Sequence, residues 1–403
     1  MSFRLRILFV ILLTLYGGIS LWPAWNRVHT VKHGRDFATY YYATQALLDG
    51  GDPYETPALS ARARAEDTRR KVHPYFYPPP FLLGMLWVAP LSLKIAYNSW
   101  FWINQVFLVG LFWSFWRWLR VSPILLGLVA VTWSPITDNA KMGQANLVVL
   151  LLMVLALRWR SGLILSTAAM SKMSPALLLG WWGVRKWWRA IAGAVFGAIA
   201  LSVLTLPLMD FQTQLRFYTD VLPGFSSGDY HGLTVRISLP ANHSIPDMFN
   251  QVWPGETEHV LSASAQRASS VVSFGLLGAL AWLSRRRRDA IGDACIAGAF
   301  TVLLLIIPVY TYEHHLVMML LPVVALAAAL QHGRIHRRWW PVLGFAYVVT
   351  AWPLFWLRTV QNWVPDASWV IQESKFFGML TIGVACLVAA LNSPETPQSL
   401  SEE

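Results

Sequence analysis

The sequence predicts an all-α polytopic integral membrane protein with about 12 transmembrane helices, and three observations predict it. Of its 403 residues 55% are hydrophobic and 13% charged. Its mean hydropathy is +0.44, and its basic residues sit in short clusters between apolar runs. A soluble globule of this length cannot accommodate such values at its surface. The 22 Trp, 20 Phe and 13 Tyr suit a chain whose rings settle at the water interface on both faces of a bilayer. The formal charge of +11 does not point to nucleic acid, because the basic clusters form neither a stripe nor a tail. Cys295 and Cys386, the two cysteines, both lie inside apolar runs, which excludes a disulfide framework and a cysteine-based metal site.

Residues 7–23 form the first apolar run. No small-residue cleavage site follows "LYGGISLWPAWN", so the run is expected to stay as an uncleaved span. The loop 24–77 comes next. In it "DFATYYYATQALLDGG" has the spacing of a helix lying at the interface, with Asp36 at its start and Gly50 and Gly51 to stop it. A second amphipathic piece follows in "ALSARARAEDTRRK". Pro78 to Pro80 cannot continue a helix interior and make a rigid entry into 79–93. Tyr75 and Tyr77 beside them anchor at headgroup level or line a sugar subsite. Further apolar runs occur at 97–116, 121–136, 144–157, 161–183, 190–209, 268–284, 293–310, 314–331, 339–357 and 374–391. Most approach the roughly 20 residues needed to cross the hydrocarbon. The loop 210–267 is long and polar. Residues 1–391 thus read as one membrane domain and "NSPETPQSLSEE", 392–403, as a disordered cytoplasmic tail.

Six basic clusters set the topology: Arg4/Arg6, Arg117/Arg120, Arg158/Arg160, Arg185/Lys186/Arg189, Arg285 to Arg288, and Arg334/Arg337/Arg338. If positive loops stay inside, each interval makes one outward excursion and return. Two intervals are awkward. In the preferred arrangement 79–93 is shallow or re-entrant, and 161–183 is a broken pair of short helices meeting at Lys172 and Pro175. In the alternative each crosses once, which puts the clusters at Arg117 and Arg158 outside. Both arrangements give twelve spans and leave 24–77, 210–267 and 311–314 on one extracytoplasmic side.

Several polar groups could carry chemistry there. Asp36 serves either as a helix cap, worth about 1 kcal/mol, or as a carboxylate beside His33 and Arg35 that takes a proton from a hydroxyl. "SPITDNAKMGQANLVVLLL" offers Asp138, Asn139, Lys141, Gln144 and Asn146, the last two as caps or as binding groups. Lys172 lies mid-segment, where a lysine needs a polar cavity or a partner. Asn242, His243 and Ser244 precede a short helix, as its cap or as binding groups, and "NHS" also fits the N-glycosylation pattern. In "PVYTYEHHLVMMLLP" Glu313, His314 and His315 top a span. Adjacent histidines point to different helix faces and no H-E-x-x-H motif is present, so no metal or other cofactor is expected. Imidazoles at the mouth of a cavity can donate to a phosphate oxygen or orient a base.

The ordered stretches "GRDFATYYYATQALLDGGDPY", "YPPPFLLGMLWVAPLS", "GQANLVVLLL", "KMSPALLL", "NHSIPD" and "YEHHLVMMLLP" together resemble the integral-membrane glycosyltransferases of family 87, over about residues 7 to 330. That resemblance implies the GT-C fold and transfer of a mannosyl or related hexosyl unit, or a pentosyl unit, from a polyprenyl phosphate. The acceptor would be a lipid or glycan, on the extracytoplasmic face of the plasma membrane. It also implies that Asp36 matches the catalytic base of the first extracytoplasmic loop, and that His314 or His315 matches the histidine of the later motif. Lys172, Arg35, Gln144, Asn242 and His243 are then expected to join the histidines around the donor phosphate and sugar. Two other classes compete. A transporter or flippase would show repeat symmetry, and none is evident. A non-catalytic subunit would tolerate loss of Asp36.

Overall fold

Proline and glycine divide the apolar runs into helices, many of which break before they cross a bilayer. The computed structural model describes residues 3–28, 34–227, 235–286, 288–353, 359–360, 362–364 and 368–394. Within them the elements are helical, with no strand. His33 and the end of the expected tail, 395–403, lie outside the described residues.

α1 (Phe3–Tyr16) passes through a π-helical turn (Gly17–Leu21) into α2 (Trp22–Val28). α3 (Arg35–Leu48) and α4 (Thr56–Ala65) follow as the two short helices of the first loop. Gly50, at φ 75°, ends the first of them as the double glycine predicts. The residue preceding α3 is Gly34, at φ 68°. Asp36 is therefore the second residue of the helix, and the cap reading is overturned. Pro79–Val88 forms a 3₁₀ helix that meets α5 (Leu93–Leu119) at 109°, a bend that a broken span and a re-entrant segment would both show.

α6 (Pro123–Thr132) leads to α7 (Pro135–Met142) and α8 (Asn146–Trp159), which meet at 120°. α9 (Gly162–Ser171), a 3₁₀ turn (Ser174–Leu177) and α10 (Leu178–Val184) make the broken pair, with Lys172 in the extended break. α9 is 10 residues long, about 15 Å at 1.5 Å per residue, roughly half the length needed to cross a 30 Å hydrocarbon layer. After α11 (Trp188–Thr205) come α12 (Phe211–Arg216), a second π turn (Phe217–Val221), α13 (Leu222–Ser227) and α14 (Ile245–Val252). α15 (Ala263–Leu283) and α16 (Ala290–Ile306) precede a 3₁₀ helix (Glu313–Met319) that runs into α17 (Leu320–Gln331). α18 (Trp340–Ala351) and α19 (Ser368–Leu391) complete the bundle. Ser161, Asp210, Ser244, Ser262 and Asp289 cap helices through their side chains, satisfying amide donors that would otherwise be orphaned.

Among the described residues three helices are long and apolar enough to cross in one piece, or five if each bent pair is one span. The protein is an all-helical membrane protein in which several expected spans are short or broken.

The basic clusters converge. Arg185, its side chain fully buried, donates to Asp293 at 3.0 Å and to the Ser284 carbonyl. Arg160 approaches the same Asp293 at 3.9 Å and lies over the Trp187 ring. Arg334 grips Asp289 through both nitrogens at 2.8 and 2.5 Å, and Arg288 donates to the Ser393 carbonyl. Arg160 and Arg185 thus share one end of the bundle. Their shared Asp293 agrees with a broken pair over 161–183 that returns to the side it left.

Removing one partner of a buried ion pair strands the other. Arg185→Met is expected to lower stability by about 3–5 kcal/mol, read as the thermal midpoint in detergent. The double change Arg185→Met with Asp293→Leu should recover most of the loss.

Candidate active site

The site is assembled where the breaks meet. The Gly34 amide donates to the Lys141 carbonyl at 2.7 Å, and the Tyr97 hydroxyl donates to the same oxygen at 2.7 Å. Gly143 accepts from Trp100 Nε1. Both glycines have positive φ, and a Cβ on Gly34 would stand 2.7 Å from the Tyr97 ring, one on Gly143 2.5 Å from the Phe37 Cβ. Only glycine allows the start of α3 to lie this close to the α7–α8 turn.

That approach puts Gln144 against Asp36. Gln144 Nε2 donates to Asp36 Oδ2 at 2.6 Å. Its Oε1 accepts from the hydroxyl of Tyr77 at 2.8 Å, which accepts in turn from that of Tyr40 at 2.6 Å, with the Tyr40 oxygen 3.2 Å from the same Oε1. Asp36 sits in the first turn of α3, where the helix dipole favours negative charge. Thr39 Oγ1 donates to the His73 carbonyl, bringing His73 alongside. Burial pushes the His73 pKa down, against the upward pull of Asp36.

Across the cleft, Asn146 is shared by three segments. Its Oδ1 accepts from Lys172 Nζ at 2.8 Å, while Nδ2 donates to the His314 carbonyl at 3.0 Å and to Asn139 Oδ1 at 3.2 Å. His314 Nε2 stands 3.9 Å from Asp36 Oδ2, beyond a direct hydrogen bond but within ion-pair reach. His315 Nδ1 accepts from the Tyr312 amide, so a neutral His315 ring carries its proton on Nε2. The two imidazoles meet edge-on, with centroids 4.2 Å apart.

Arg35, Asp36, Gln144, Lys172, His314 and His315 all line one cavity of about 1520 Å³. Its lining is mostly apolar and includes Leu177, Leu277, Leu304 and Phe274, with Ser269, Ser270 and Ser273 of α15 among its polar members. Phe274 is 74% exposed, so the cavity reaches the outer surface of the bundle. Polar groups able to hold an anionic head thereby share one cavity with residues suited to a hydrocarbon tail.

Asn242 and His243 are not in its walls. Asn242 is fully buried, donating to the Ile237 and Val309 carbonyls and accepting from the Thr311 amide, which leaves no room for a glycan. Ser244, rather than either neighbour, caps α14. His243 pairs with Glu313 at 2.9 Å, and Glu313 also accepts from Lys375 Nζ at 2.6 Å. These groups hold the start of the 3₁₀ helix that presents His314. Their expected contact with donor is replaced by a clamp one layer behind it. Tyr40 and Lys375 escaped notice in the sequence. Lys375 gave no signal, since it follows Gln372, Glu373 and Ser374 and has a carboxylate two residues away in sequence. Among the described residues no group of three or more His, Cys, Asp or Glu is arranged for a metal ion.

A helical membrane protein with a polar cleft in a mostly apolar cavity is suited to substrates with polar heads and lipid tails. A family model for glycosyltransferase family 87 matches residues 75–308, more than half of the sequence. The chain belongs to that family and is a membrane glycosyltransferase. It is 26% identical over 351 residues to the polyprenol-phosphate-mannose-dependent alpha-(1-2)-phosphatidylinositol pentamannoside mannosyltransferase of Mycolicibacterium smegmatis, a match covering 81% of this chain and 76% of the relative. To the polyprenol-phosphate-mannose-dependent alpha-(1-2)-phosphatidylinositol mannoside mannosyltransferase of the same organism it is 25% identical over 376 residues, covering 85% and 80% respectively.

Behind the clamp, Asp247 is fully buried on α14. Burial, then the nearby Glu373, pushes its pKa up to about 8. Its neutral form is the folded one, whereas an unfolded aspartic acid ionises near pH 3.9. Stability from this group should therefore fall as pH rises from about 4 to about 8 and level off above. Thermal midpoints across that range are expected to show a decline that Asp247→Asn flattens.

Proposed function

We propose that this enzyme transfers a mannosyl unit from a polyprenyl phosphate to a lipid or glycan acceptor, with inversion, at the extracytoplasmic face of the plasma membrane. The observation that carries the proposal is the one cavity in which Asp36 Oδ2 and His314 Nε2 lie 3.9 Å apart and whose lining is mostly apolar. The names of the two relatives support mannose and a polyprenol phosphate donor. Nucleotide sugars are cytoplasmic, so a site on the outer face needs a donor whose lipid tail brings it there.

Asp36 is the general base. As it takes the proton of the acceptor hydroxyl, that oxygen bonds to the anomeric carbon, and the bond from this carbon to the phosphate oxygen breaks with its electrons leaving on the phosphate. Attack opposite the leaving group inverts the anomeric configuration. Lys172 and the Nε2–H of His315 stabilise the departing charge, His314 bridges them to the base, and Arg35 faces the entering headgroup. The apolar part of the lining takes the prenyl tail. One membrane domain, 1–391, of the GT-C type makes about twelve passes, counting short and broken helices, and ends in a cytoplasmic tail. In this orientation the arginine end of the bundle faces the cytoplasm, as positive loops do.

Purified protein given a panel of polyprenyl phosphate sugars should turn over the mannose donor best. Asp36→Asn is expected to lose at least about 100-fold in kcat, and His314→Ala and His315→Ala about 10- to 1000-fold. Full transfer by Asp36→Asn would remove the base assignment. Sidedness is read separately. In a background with Cys295 and Cys386 replaced by Ala, a cysteine at the exposed Ala58 should react with an impermeant thiol reagent in intact cells. One at the exposed Lys186 should react only after the membrane is opened.

A further inference from the structure

We infer that Gln144 is a positioning residue which fixes Asp36 so that Oδ1 is the oxygen that takes the acceptor proton; this rests on Asp36 being the base. A carboxylate can only accept hydrogen bonds, so the amide end facing Asp36 Oδ2 at 2.6 Å must be nitrogen. The other end is held as strictly. Tyr40 gives its one proton to the Tyr77 hydroxyl at 2.6 Å, and Tyr77 gives its own to Oε1 at 2.8 Å. Burial pushes both phenols above their ordinary range, so they stay protonated donors. Turned over, the amide would press its oxygen against a carboxylate oxygen, two acceptors at hydrogen-bond distance with no proton between them.

The chain of donors therefore has one direction, from phenol to amide to carboxylate. Oδ2 is occupied by the amide, with His314 Nε2 at 3.9 Å from the same oxygen. Among the described residues no hydrogen bond is made to Oδ1, which is left for the acceptor hydroxyl. In the transfer the proton passes from that hydroxyl to Oδ1 as its oxygen bonds to the anomeric carbon, and the electrons of the broken carbon–oxygen bond leave with the polyprenyl phosphate. A neutral donor suits this task. A lysine in place of Gln144 would also favour the charged carboxylate, but its full charge would weaken the base. An amide fixes the geometry with a partial charge alone. Gln144 reaches this place because Gly143 beside it, at φ 70°, leaves room for Phe37 of α3.

The charged groups that act on Asp36 from the packed elements are Arg69 and His73 before the triple proline, Lys172 at the break, and His314. Arg35 adjoins it on α3, and the phenols of Tyr40, Tyr77, Tyr97 and Tyr312 complete the set. Of these only Tyr77 and Tyr40 touch Gln144, and the variant below keeps an oxygen for Tyr77 to donate to.

The test is the pH profile of transfer by the full-length protein in detergent or nanodiscs, with polyprenyl phosphate mannose and a glycolipid acceptor. Gln144→Glu puts a second carboxyl where the amide donated, and two carboxylates in contact cannot both ionise. The acidic limb of kcat should move up by about 1–3 pH units, while KM for the donor stays within about twofold, because Lys172 and His315 keep their contacts. Tyr77→Phe, which deletes one hydroxyl and keeps the ring, should lower kcat and move the limb the same way by a smaller amount. It carries the test if Gln144→Glu does not fold. Profiles of both variants that superimpose on wild type, with Asp36→Asn inactive, overturn the role of Gln144 and leave the base standing. An active Asp36→Asn instead overturns the base, and this inference falls with it.

Discussion

The side chain of Asn146 is the contact on which the cleft depends. It accepts from Lys172, donates to the backbone of His314 and donates to Asn139, so one amide joins α7, the break after α9 and the 3₁₀ helix ahead of α17. Each of these is an interrupted helix. Interruptions at membrane depth are tolerated only where the freed polar groups find partners in protein or line a water-filled cavity. Here the ends are gathered at one place, and the groups that need partners serve one another. A buried amide with both ends in use also specifies geometry, because any rotation strands a polar atom.

The cleft has a second support behind it. His243 and Lys375 converge on Glu313, and Lys375 reaches on to the Trp352 carbonyl. The outer loop and the last helix are thereby tied to the residue next to His314. Buried ion pairs contribute little net stability, since desolvation offsets most of the Coulomb gain. Their value here is positional. The arginine clusters at the opposite end do comparable work, with Asp293 shared by Arg160 and Arg185. The bundle is thus fixed by polar contacts at both ends and by apolar packing between, as expected where lipid supplies no hydrophobic drive for helices to associate.

Much of this could be read from residue types. Pro78 to Pro80, Gly50 and Pro175 announce breaks because backbone chemistry is local, and the breaks are there. Lys172 in an apolar run and the acid and imidazoles at the mouths of spans stand out for the same reason. What could not be read is pairing. Gln144 bonds to a residue 108 positions away, through an approach set by two glycines that look like ordinary turn residues. Tyr40 and Tyr77 look like interfacial aromatics until their hydroxyls are seen on one amide oxygen. Asn242 and His243 show the converse. Polar residues in an outer loop have the same sequence appearance whether they face a ligand or stitch the loop to its neighbour, and only burial separates the two cases. Asp36 looked like a cap because helix starts favour aspartate, whereas Gly34 holds the entry to the helix.

The shortness of α9 has a physiological corollary. In the proposed orientation its 10 residues carry Lys172 only partway across the layer, so a donor phosphate that meets this lysine would sit below the plane of neighbouring headgroups. The surrounding lipid is then drawn down or thinned locally, at a cost of fractions of a kcal/mol for each ångström of mismatch. A thick, sterol-like or saturated leaflet resists that dip more than a thin, fluid one. Turnover should thus follow acyl-chain length and membrane fluidity, coupling the output of this enzyme to the physical state of the envelope that holds it.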